Sequence, residues 1–435
     1  MASTYLTRTM SGGSATTTKF TISVWVKRAG LNNDTIVSCS NDYCYLGFNS
    51  GNKLFLELHD IDNVRLRTNA LFRDTNAWYH IVASYDSTQS TASDRMKLYV
   101  NNEQITSFNV ANYPSQNYGA GFGGNLQHSV GRREIDDSEY FSGVISHLHL
   151  CAGYTYDASA FGEYDANGVW KIKTDVSVTY GTNGFFILKD GNSVTDESGN
   201  GNNFTVAGGT LTKTEDSPSN VFPTLMVIPR TDAVTTNPQL SNGNTTVNFA
   251  DTVRFTNVVG SIACKGKYYW EVKATGFSAT TTTGHIGLTN LSTYDNGNMA
   301  NFYIGYRDDG VKNNYGTTAS YGASYGSGDI IGVAFDSATG TIWFSKNGTW
   351  QNSATISEIA TGTTTNSAYT GLSTSVDWQP VIINYDNRLA NVNFGNGYFG
   401  TTAVASAGTN ASGIGIFEYD VPTGYTALST KGLNL

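Results

Sequence analysis

The chain has 435 residues, of which 14% are charged, and its formal net charge is −9. This acidic balance, without any basic run to offset it, argues against binding to a polyanion such as DNA or RNA. No apolar run approaches the length of a membrane span, so we expect no membrane insertion. Glycine (47), tyrosine (26) and phenylalanine (21) are abundant, and this composition is typical of β-strands joined by turns.

Predicted strands follow one another along the first part of the chain. The stretch FTISVWVKR alternates apolar and polar residues, with apolar side chains at positions 20, 22, 24 and 26 on one face. Further strands are predicted at KLFLEL, WYHIVASYD, MKLYVNNEQI, HSVGRR and YFSGVISHLHL. Regular strands with almost no helical pattern predict a β-sandwich.

The four cysteines lie at positions 39, 44, 151 and 264. Buried thiols of a reducing compartment explain all four, and a small disulfide loop between Cys39 and Cys44 is the alternative. The first ten residues, MASTYLTRTM, lack the apolar core of a signal peptide. We therefore expect a protein that is made in a cytosol and does not leave it by secretion.

An acidic stretch at residues 131–141, GRREIDDSEYF, has the E-x-D-x-x-E spacing found in one class of concanavalin-like glucanases. Glu134 and Glu139 would be the catalytic carboxylates, which in a retaining glycosidase face each other across the sugar bond. A catalytic strand would have to bury Asp137 and its neighbouring serine, which are polar residues that favour turns. We interpret the stretch as a turn between two strands, with glycan hydrolysis as an alternative.

We expect no cofactor. Asp136 and Asp137 are candidate calcium ligands, but one acidic loop falls short of the roughly six to eight oxygen ligands that calcium takes. The glycine-rich GFGGN lacks the lysine of a phosphate-binding loop, and the cysteines and histidines do not show zinc-site spacing.

Residues 215–244 interrupt the strand pattern. They contain four of the seven prolines, and proline is not found inside central strands. We interpret this segment as a linker or an extended crossing between domains at 1–214 and 245–435. A second series of strands follows it, including KYYWEVKA, GHIGLTN, IIGVAFD and TIWFSKNG. The predicted fold class is therefore all-β, with two antiparallel β-sandwiches in tandem.

The stretch YRDDGVKNNYGTTASYGASYGSGD, residues 306–329, is the main candidate binding loop. Tyrosine, glycine, serine and asparagine dominate it, as in antibody binding loops, where tyrosine gives a large contact area at low entropic cost. The candidate ligand-binding residues are three tyrosines and three polar partners: Tyr315, Tyr321, Tyr325, Asp308, Asp309 and Asn313. The alternative is that the tyrosines pack a long loop onto its own domain.

Trp350 is a further candidate for an exposed aromatic contact, because it comes just after a predicted hairpin turn. An exposed ring on a rigid frame is suited to binding without chemistry. Trp25, Trp78, Trp270 and Trp343 lie within strand patterns, and we expect them in the domain cores.

The motifs resemble two known families. FTISVWVKR, WYHIVASYD, KLYVNNEQITSF, VGRR and YFSGVISHLHL resemble, in this order, a laminin-G-like, concanavalin A-like lectin domain with a jelly-roll sandwich. DESGNGNNFTV resembles an element near the start of such domains, so we expect it here as a last strand that wraps round. GKYYWEVKATG, HIGLTN, GDIIGVAFDSATGTIWFSKNGTW and QPVIINYDNRLANVNFG resemble a SPRY domain, which binds through loops at one rim.

The tandem of these domains resembles virion proteins of marine tailed bacteriophages. There it occurs in fibre-like or particle-decorating components. The resemblance implies a non-enzymatic protein, made in the host cytoplasm and assembled with other virion proteins. Such a protein would bind host surface glycan or protein as a tail-fibre or particle-surface component, and a purely structural capsid-decorating protein is the alternative. A homo-oligomer is expected, although no heptad pattern supports a coiled-coil trimer.

Overall fold

The computed structural model describes residues 4–40, 44–59, 63–189, 191, 193–228, 236–279, 282–291 and 303–434. The chain divides into two compact units, residues 1–213 and residues 214–435. Both units are built from antiparallel sheets, which confirms the predicted all-β class of two sandwiches. Within the described ranges, no helix is long and apolar enough to cross a membrane.

The elements of the first unit are named in chain order. The strands are β1 (Tyr5–Thr9), β2 (Lys19–Arg28), β3 (Asp34–Cys39), β4 (Cys44–Phe48), β5 (Leu54–His59), β6 (Val64–Thr68), β7 (Trp78–Asp86), β8 (Met96–Val100), β9 (Glu103–Gln104), β10 (Phe108–Asn112), β11 (Gln127–Val130), β12 (Gly143–Ala152), β13 (Gly162–Tyr164), β14 (Trp170–Ile172), β15 (Phe185–Ile187) and β16 (Thr205–Gly208). Short 3-10 turns lie at Ala92–Asp94 and Ala158–Ala160.

Two sheets form the first sandwich. In its described residues, an eight-stranded sheet has the order β10-β6-β5-β4-β3-β11-β1-β16 and a six-stranded sheet has the order β15-β12-β2-β7-β8-β9. The β2 side chains at 20, 22, 24 and 26 all lie in the core between the sheets, as their alternation predicts. Strand β16, from the stretch DESGNGNNFTV, pairs with β1 at the edge of the larger sheet. The last strand therefore returns to the first.

The outer face of the six-stranded sheet is also covered. Ser23 and Trp25 point away from the core in β2, yet both are buried. Residues 153–180 cross this face and pack Phe161 and Trp170 against it, beside Cys151. This covering explains why β2 is buried along almost its whole length.

All four cysteines are buried thiols, as expected. Cys39 and Cys44 are register partners across the β3–β4 pair. Residues 41–43, which the suggested disulfide loop would include, lie outside the described residues.

A buried ion pair joins the end of β2 to the start of β3. Arg28 Nη2 lies 2.7 Å from Asp34 Oδ2, and the two side chains are 0% and 1% exposed. The guanidinium also donates to the carbonyl oxygens of Phe72 at 2.7 Å and Asn32 at 3.2 Å. Its carbon lies 4.3 Å from the ring centroid of Phe48. The Arg28 charge is thus fully enclosed and directly compensated.

The elements of the second unit continue the numbering. The strands are β17 (Leu225–Val227), β18 (Gln239–Ser241), β19 (Thr246–Phe249), β20 (Thr256–Gly260), β21 (Lys267–Thr275), β22 (His285–Asn290), β23 (Tyr303–Arg307), β24 (Val311–Asn314), β25 (Thr317–Ser320), β26 (Ile330–Asp336), β27 (Thr341–Lys346), β28 (Thr349–Trp350), β29 (Trp378–Asn384), β30 (Arg388–Asn393), β31 (Tyr398–Phe399), β32 (Thr402–Ala403) and β33 (Thr426–Ala427). An α-helix, α1, spans Ile356–Thr361, and a 3-10 turn lies at Gly432–Asn434.

The second sandwich has the same layered construction. Its described strands form a seven-stranded sheet in the order β17-β20-β29-β22-β23-β24-β25 and a larger sheet in the order β18-β19-β30-β21-β26-β27-β28, with β33 beside β21. Trp270 lies in the core between these sheets, whereas Trp343 is buried on the opposite face of its sheet, which it shares with Tyr269. Trp25 and Trp78 are buried in the first unit. All four tryptophans are buried, as predicted, although the register places Trp25, Trp78 and Trp343 on the outer faces of their sheets.

The proline-rich segment 215–244, expected as a linker, lies within the second unit. It contributes strand β17 to one sheet and strand β18 to the other. Pro238 directly precedes β18, where a missing backbone N–H is tolerated. Pro229 lies outside the described residues.

A buried carboxylate holds the C-terminal segment onto the second sandwich. Glu271 in β21 is 0% exposed. It accepts hydrogen bonds from the backbone N–H groups of Glu418 and Tyr419, both at 2.9 Å. Asn393 Nδ2 donates to it at 3.2 Å and the Tyr269 hydroxyl at 3.0 Å. Burial raises the pKa of Glu271 to about 7, while these four donors favour its ionised form.

Candidate binding groove in the second unit

Residues 306–329, predicted as one long exposed loop, are partly folded into a sheet. They include the end of β23 and the whole of β24 and β25, which pair as an antiparallel meander at the sheet edge. Tyr315 and Gly316 form the two-residue turn between β24 and β25, with φ angles of 48° and 88°. This is the φ pattern of a type I′ hairpin turn. The loop prediction was wrong because a tyrosine stands where asparagine normally marks such a turn.

Two of the three candidate tyrosines are internal. Tyr325 is 0% exposed, and its hydroxyl donates to the carbonyl oxygens of Gly284 at 3.1 Å and Tyr306 at 3.0 Å. Tyr321 is 7% exposed, and its hydroxyl accepts from the backbone N–H of Phe344 at 3.2 Å. The expectation that these rings are exposed is corrected: they fill the core beneath the meander.

Tyr315 is 40% exposed at the tip of the β24–β25 turn. The polar candidates stabilise the same region from within. Asp308 is buried and accepts from the Gly284 N–H at 2.9 Å. Asn313 is buried and donates to the hydroxyl of Tyr303. Hydrogen bonds from Arg307 hold the pKa of Asp309 below its usual range. The six predicted residues therefore do not converge on one surface.

Trp350 lies in the floor of an open groove and is only 9% exposed, which corrects the expectation of an exposed ring. Its indole packs edge-on against Tyr269, with ring centroids 6.2 Å apart. The groove has a volume of about 540 Å³. It is lined by Ala323, Lys346, Asn347, Thr349, Trp350, Gln351, Asn352 and Ser353. Ala323 is the contribution of the predicted loop, so the two candidate regions meet here.

Local sequence explains the shape of the groove. Asn347 and Gly348 form the β27–β28 hairpin turn with φ angles of 49° and 80°, as their Asn-Gly pair favours. Asn352 and Ser353 follow with φ angles of 56° and 61°. Consecutive left-handed residues other than glycine are uncommon, and they turn the chain sharply at the groove's rim. The sequence TWQNS contained this signal, since asparagine tolerates that conformation best.

Hydrogen bonds fix the wall opposite the hairpin. The side-chain oxygen of Gln351 accepts from the backbone N–H of Ala323 at 2.8 Å. The side-chain nitrogen of Gln351 donates to the carbonyl oxygen of Thr349 at 2.7 Å. The Gln351 backbone N–H donates to the carbonyl oxygen of Phe344 at 2.9 Å. The groove is therefore formed before any ligand arrives.

The groove presents neutral polar groups. Lys346 Nζ lies 3.1 Å from Asp329 Oδ2 and donates to the Ser324 carbonyl oxygen at 2.8 Å, so its charge is compensated within the protein. The side-chain nitrogen of Asn347 also donates a hydrogen bond to Asp329, at 2.7 Å. By contrast, the side chains of three exposed lining residues make no hydrogen bond within the described part of the chain: Thr349, Asn352 and Ser353.

The acidic stretch of the first unit is a closed turn, which confirms its interpretation. Arg133 and Ser138 exchange backbone hydrogen bonds, at 2.8 and 3.4 Å, between β11 and β12. Glu134 is paired with Arg132 at 2.9 Å, and Glu139 with Arg133 at 2.6 Å. Burial raises the pKa of Glu139. Both glutamates are thus ion-paired with arginines of the same turn.

The candidate calcium ligands are paired in the same way. Asp136 lies 2.5 Å from Arg133, and hydrogen bonds from Arg133 lower its pKa. Asp137 pairs with Arg132. In the described ranges, no group of three or more acidic, histidine or cysteine side chains could hold a metal ion.

A buried serine–histidine contact was not anticipated from the sequence. Ser23 Oγ lies 2.8 Å from His80 Nε2, and Trp170 Nε1 lies 3.0 Å from His80 Nδ1. An indole nitrogen can only donate, so His80 Nδ1 accepts and the ring proton sits on Nε2, facing Ser23. His80 therefore donates to Ser23 and cannot take its proton at that nitrogen. The contact belongs to the packing of Trp170 rather than to a nucleophilic pair.

Burial lowers the pKa of four histidines below the ordinary value of 6.5. The groups are His80 (to about 3), His128 (to about 4), His149 (well below) and His285 (to about 3). Three of them lie in the first unit and one in the second. Each is neutral in the folded protein near neutral pH.

We expect the first unit to unfold at a higher pH than the second on acidification. A buried neutral histidine stabilises the fold above pH 6.5, and this stability is lost below it by about 1.4 kcal/mol per pH unit, because only the unfolded chain takes up the proton. Burial raises the pKa of Asp34 to about 6 and of Glu271 to about 7, so each carboxyl offsets one histidine as the pH falls. Burial also raises the pKa of Glu139, so at least one histidine remains uncompensated in the first unit and none in the second.

Hydrogen exchange of the full chain between pH 7 and 4, followed by mass spectrometry of its peptides, measures this difference. Peptides of residues 1–213 should lose protection first. Simultaneous loss in both units would contradict the assignment of neutral buried histidines.

Two family models match this chain, one in each unit. Residues 2–153 match the family model described as the concanavalin A-like lectin/glucanases superfamily. Residues 267–374 match the model of the SPRY domain. No curated protein sequence matches the chain.

Several solved structures match parts of this chain. The SPRY domain of human HERC1 is 18% identical over 36% of this chain and 91% of its own, with a TM-score of 0.28. A Bacteroides ovatus protein proposed to bind carbohydrate is 14% identical over 49% of this chain and 58% of its own, with a TM-score of 0.33. A heptameric SAP-like pentraxin from Limulus polyphemus is 15% identical over 36% of this chain and 72% of its own, with a TM-score of 0.27.

Proposed function

We propose that this chain, in which a concanavalin A-like lectin domain precedes a SPRY domain, is a non-enzymatic virion protein of a bacteriophage. It is made in the host cytoplasm and assembles with other virion proteins and with copies of itself. It serves as a tail-fibre or particle-surface component. Its role is to bind a glycan or protein on the host surface.

The groove beside Trp350 is the observation that supports the binding role, whereas the virion role rests on the resemblance of the domain tandem. It is open, its volume of about 540 Å³ is within the range of small-ligand sites, and it combines an indole in its floor with polar side chains that make no hydrogen bond to the described residues. Its walls are fixed by the hydrogen bonds of Gln351. A rigid site of this kind binds without losing free energy to its own ordering.

The carboxylates support binding rather than hydrolysis. A retaining glycosidase needs one carboxyl group free to attack and another free to give up a proton. Glu134 and Glu139 are instead ion-paired with Arg132 and Arg133 in a turn. The alternative of glycan hydrolysis predicts that Glu134→Gln abolishes release of reducing ends from a polysaccharide, and that the unmodified chain releases them.

Gold-labelled antibody on purified phage particles tests the location. Label at the tail or fibre tips is the expected result. Label spread over the head would favour the purely structural decorating protein. Particles without any label would overturn the virion assignment.

Binding of the fluorescently labelled full chain to host cells tests the role. Asn352→Gly removes a groove amide and keeps a residue that accepts a left-handed φ. We expect it to reduce cell binding, while the exposed control Thr317→Val on β25 leaves binding unchanged. Absence of cell binding by the unmodified chain would contradict the host-attachment role.

A further inference from the structure

We infer that the groove beside Trp350 takes a neutral, polyhydroxylated ligand, namely an uncharged segment of a surface glycan. This inference rests on the proposed binding function and names its ligand class. It follows from the charges, the hydrogen-bonding groups and the aromatic floor of the groove.

The charged groups of the groove fit an uncharged ligand better than an ionic one. Lys346 is the one charged residue among its lining side chains, and Asp329 and the Ser324 carbonyl already occupy its ammonium group. An anionic ligand would have to compete with Asp329 for this cation. A cationic ligand finds no acidic side chain in the lining. A net-neutral ligand loses the least hydration free energy on entering.

The remaining polar groups have the chemistry that sugar hydroxyls need. Thr349 and Ser353 each offer a hydroxyl that both donates and accepts, and Asn352 offers two donors and an acceptor. All three are exposed and line the groove. Hydroxyl groups of a sugar also donate and accept, so they can satisfy such a mixed set, whereas an apolar ligand would leave it unpaired.

The floor supplies the apolar part of the contact. Trp350 and Ala323 lie among the polar groups, and the indole is held in place by Tyr269. A pyranose ring has apolar C–H faces and polar edges, so an apolar face can cover the exposed Ala323 and the 9% of Trp350 that is accessible while its hydroxyls reach the rim. Aromatic rings held rigidly give contact area at little entropic cost.

The backbone at the rim of the groove is held in a defined conformation within the protein. Asn352 and Ser353 keep left-handed φ angles of 56° and 61°, and the Ala354 N–H donates to the Gln351 carbonyl oxygen at 3.1 Å across them. Strained residues of this kind cluster at ligand-binding sites, where the surrounding structure holds them. Both residues are exposed and line the groove.

An array of neutral oligosaccharides and matched oligosaccharides with uronic or sialic acids, probed with the labelled full chain, tests the inference. We expect binding to neutral members, weakened about tenfold by Asn352→Gly or Thr349→Val through the loss of one hydrogen bond. The control Thr317→Val makes the same replacement on exposed β25 and should have no effect. Thermal unfolding of each variant checks that the fold is unchanged.

The charge of the ligand is tested separately with Asn352→Asp. A neutral ligand should be weakened no more by Asn352→Asp than by Asn352→Gly, with no change from about 0.05 to about 0.5 M salt. Selective binding to acidic members, with a larger loss for Asn352→Asp that salt reduces, would overturn the inference.

The two proposals fail in different ways. If the chain binds host cells through the groove but binds no neutral glycan on the array, the binding function stands and the glycan inference falls. If neutral glycans bind and the Asn352→Gly and Thr349→Val variants bind equally well, the groove is not their site and the inference also falls. If the chain binds neither cells nor glycans, both the proposed function and the glycan inference are overturned.

Discussion

Replacing Glu271 by leucine is expected to lower the free energy of unfolding of the second unit by more than about 4 kcal/mol. Glu271 is the common acceptor for four buried donors: the N–H groups of Glu418 and Tyr419, the Asn393 amide and the Tyr269 hydroxyl. Each buried donor left without a partner costs about 1–3 kcal/mol. Leucine fills the space and satisfies none of them.

Urea unfolding of the full chain, with hydrogen exchange to assign transitions to units, measures this loss. Residues 404–434 should lose protection before the rest of the second unit, because Glu271 holds their backbone. Glu271→Gln keeps one acceptor oxygen and should give an intermediate loss. The exposed control Asp377→Asn, which breaks only the surface pair with Lys265, should change stability by less than about 1 kcal/mol. An equally small effect of Glu271→Leu would contradict the anchoring role.

Replacing Arg28 by methionine is expected to destabilise the first unit by about 3–5 kcal/mol. The change leaves the Asp34 carboxylate buried at 1% exposure without its cation. It also leaves the carbonyl oxygens of Phe72 and Asn32 without their donor. Methionine retains most of the apolar contact with Phe48, so the loss reports the charge and the hydrogen bonds.

Denaturant unfolding of the first unit in the full chain checks this value. Lys171→Met removes one partner of an exposed pair with Glu163, at 46% and 44% exposure, and should cost less than about 1 kcal/mol. The double variant Arg28→Met, Asp34→Asn should recover part of the stability, since it removes the uncompensated charge. A double variant less stable than Arg28→Met alone would show that the buried charge is not the cause.

The candidate site could be predicted only in part. Sequence reasoning selected Trp350 for its place after a hairpin, and that hairpin does form one wall of the groove. It selected Tyr321 and Tyr325 for their composition, and these rings are core residues. Composition records which residue types are present, whereas the side of the sheet on which each ring lies depends on the register of β23, β24 and β25.

The partners of the charged side chains could be predicted from the sequence even less than the candidate site could. The spacing of Glu134 and Glu139 is compatible with catalysis in a strand, and the polar residues between them indicated a turn. That turn then brought Arg132 and Arg133 onto the carboxylates. The partners of Arg28 and Glu271 come from distant parts of the chain, such as Phe72 and Tyr419, and local sequence does not identify them.

The sequence by itself determined the class of fold, the two sandwiches and the burial of Trp270, because these follow from alternation of apolar residues within single strands. Only the tertiary structure decided which aromatic rings are enclosed and which polar groups keep free hydrogen-bonding capacity. Residues 153–180 cover one sheet face, and the meander 306–329 covers its own tyrosines. Exposure and hydrogen bonding are set by contacts between segments far apart in the chain, and those contacts exist only once the sheets have paired.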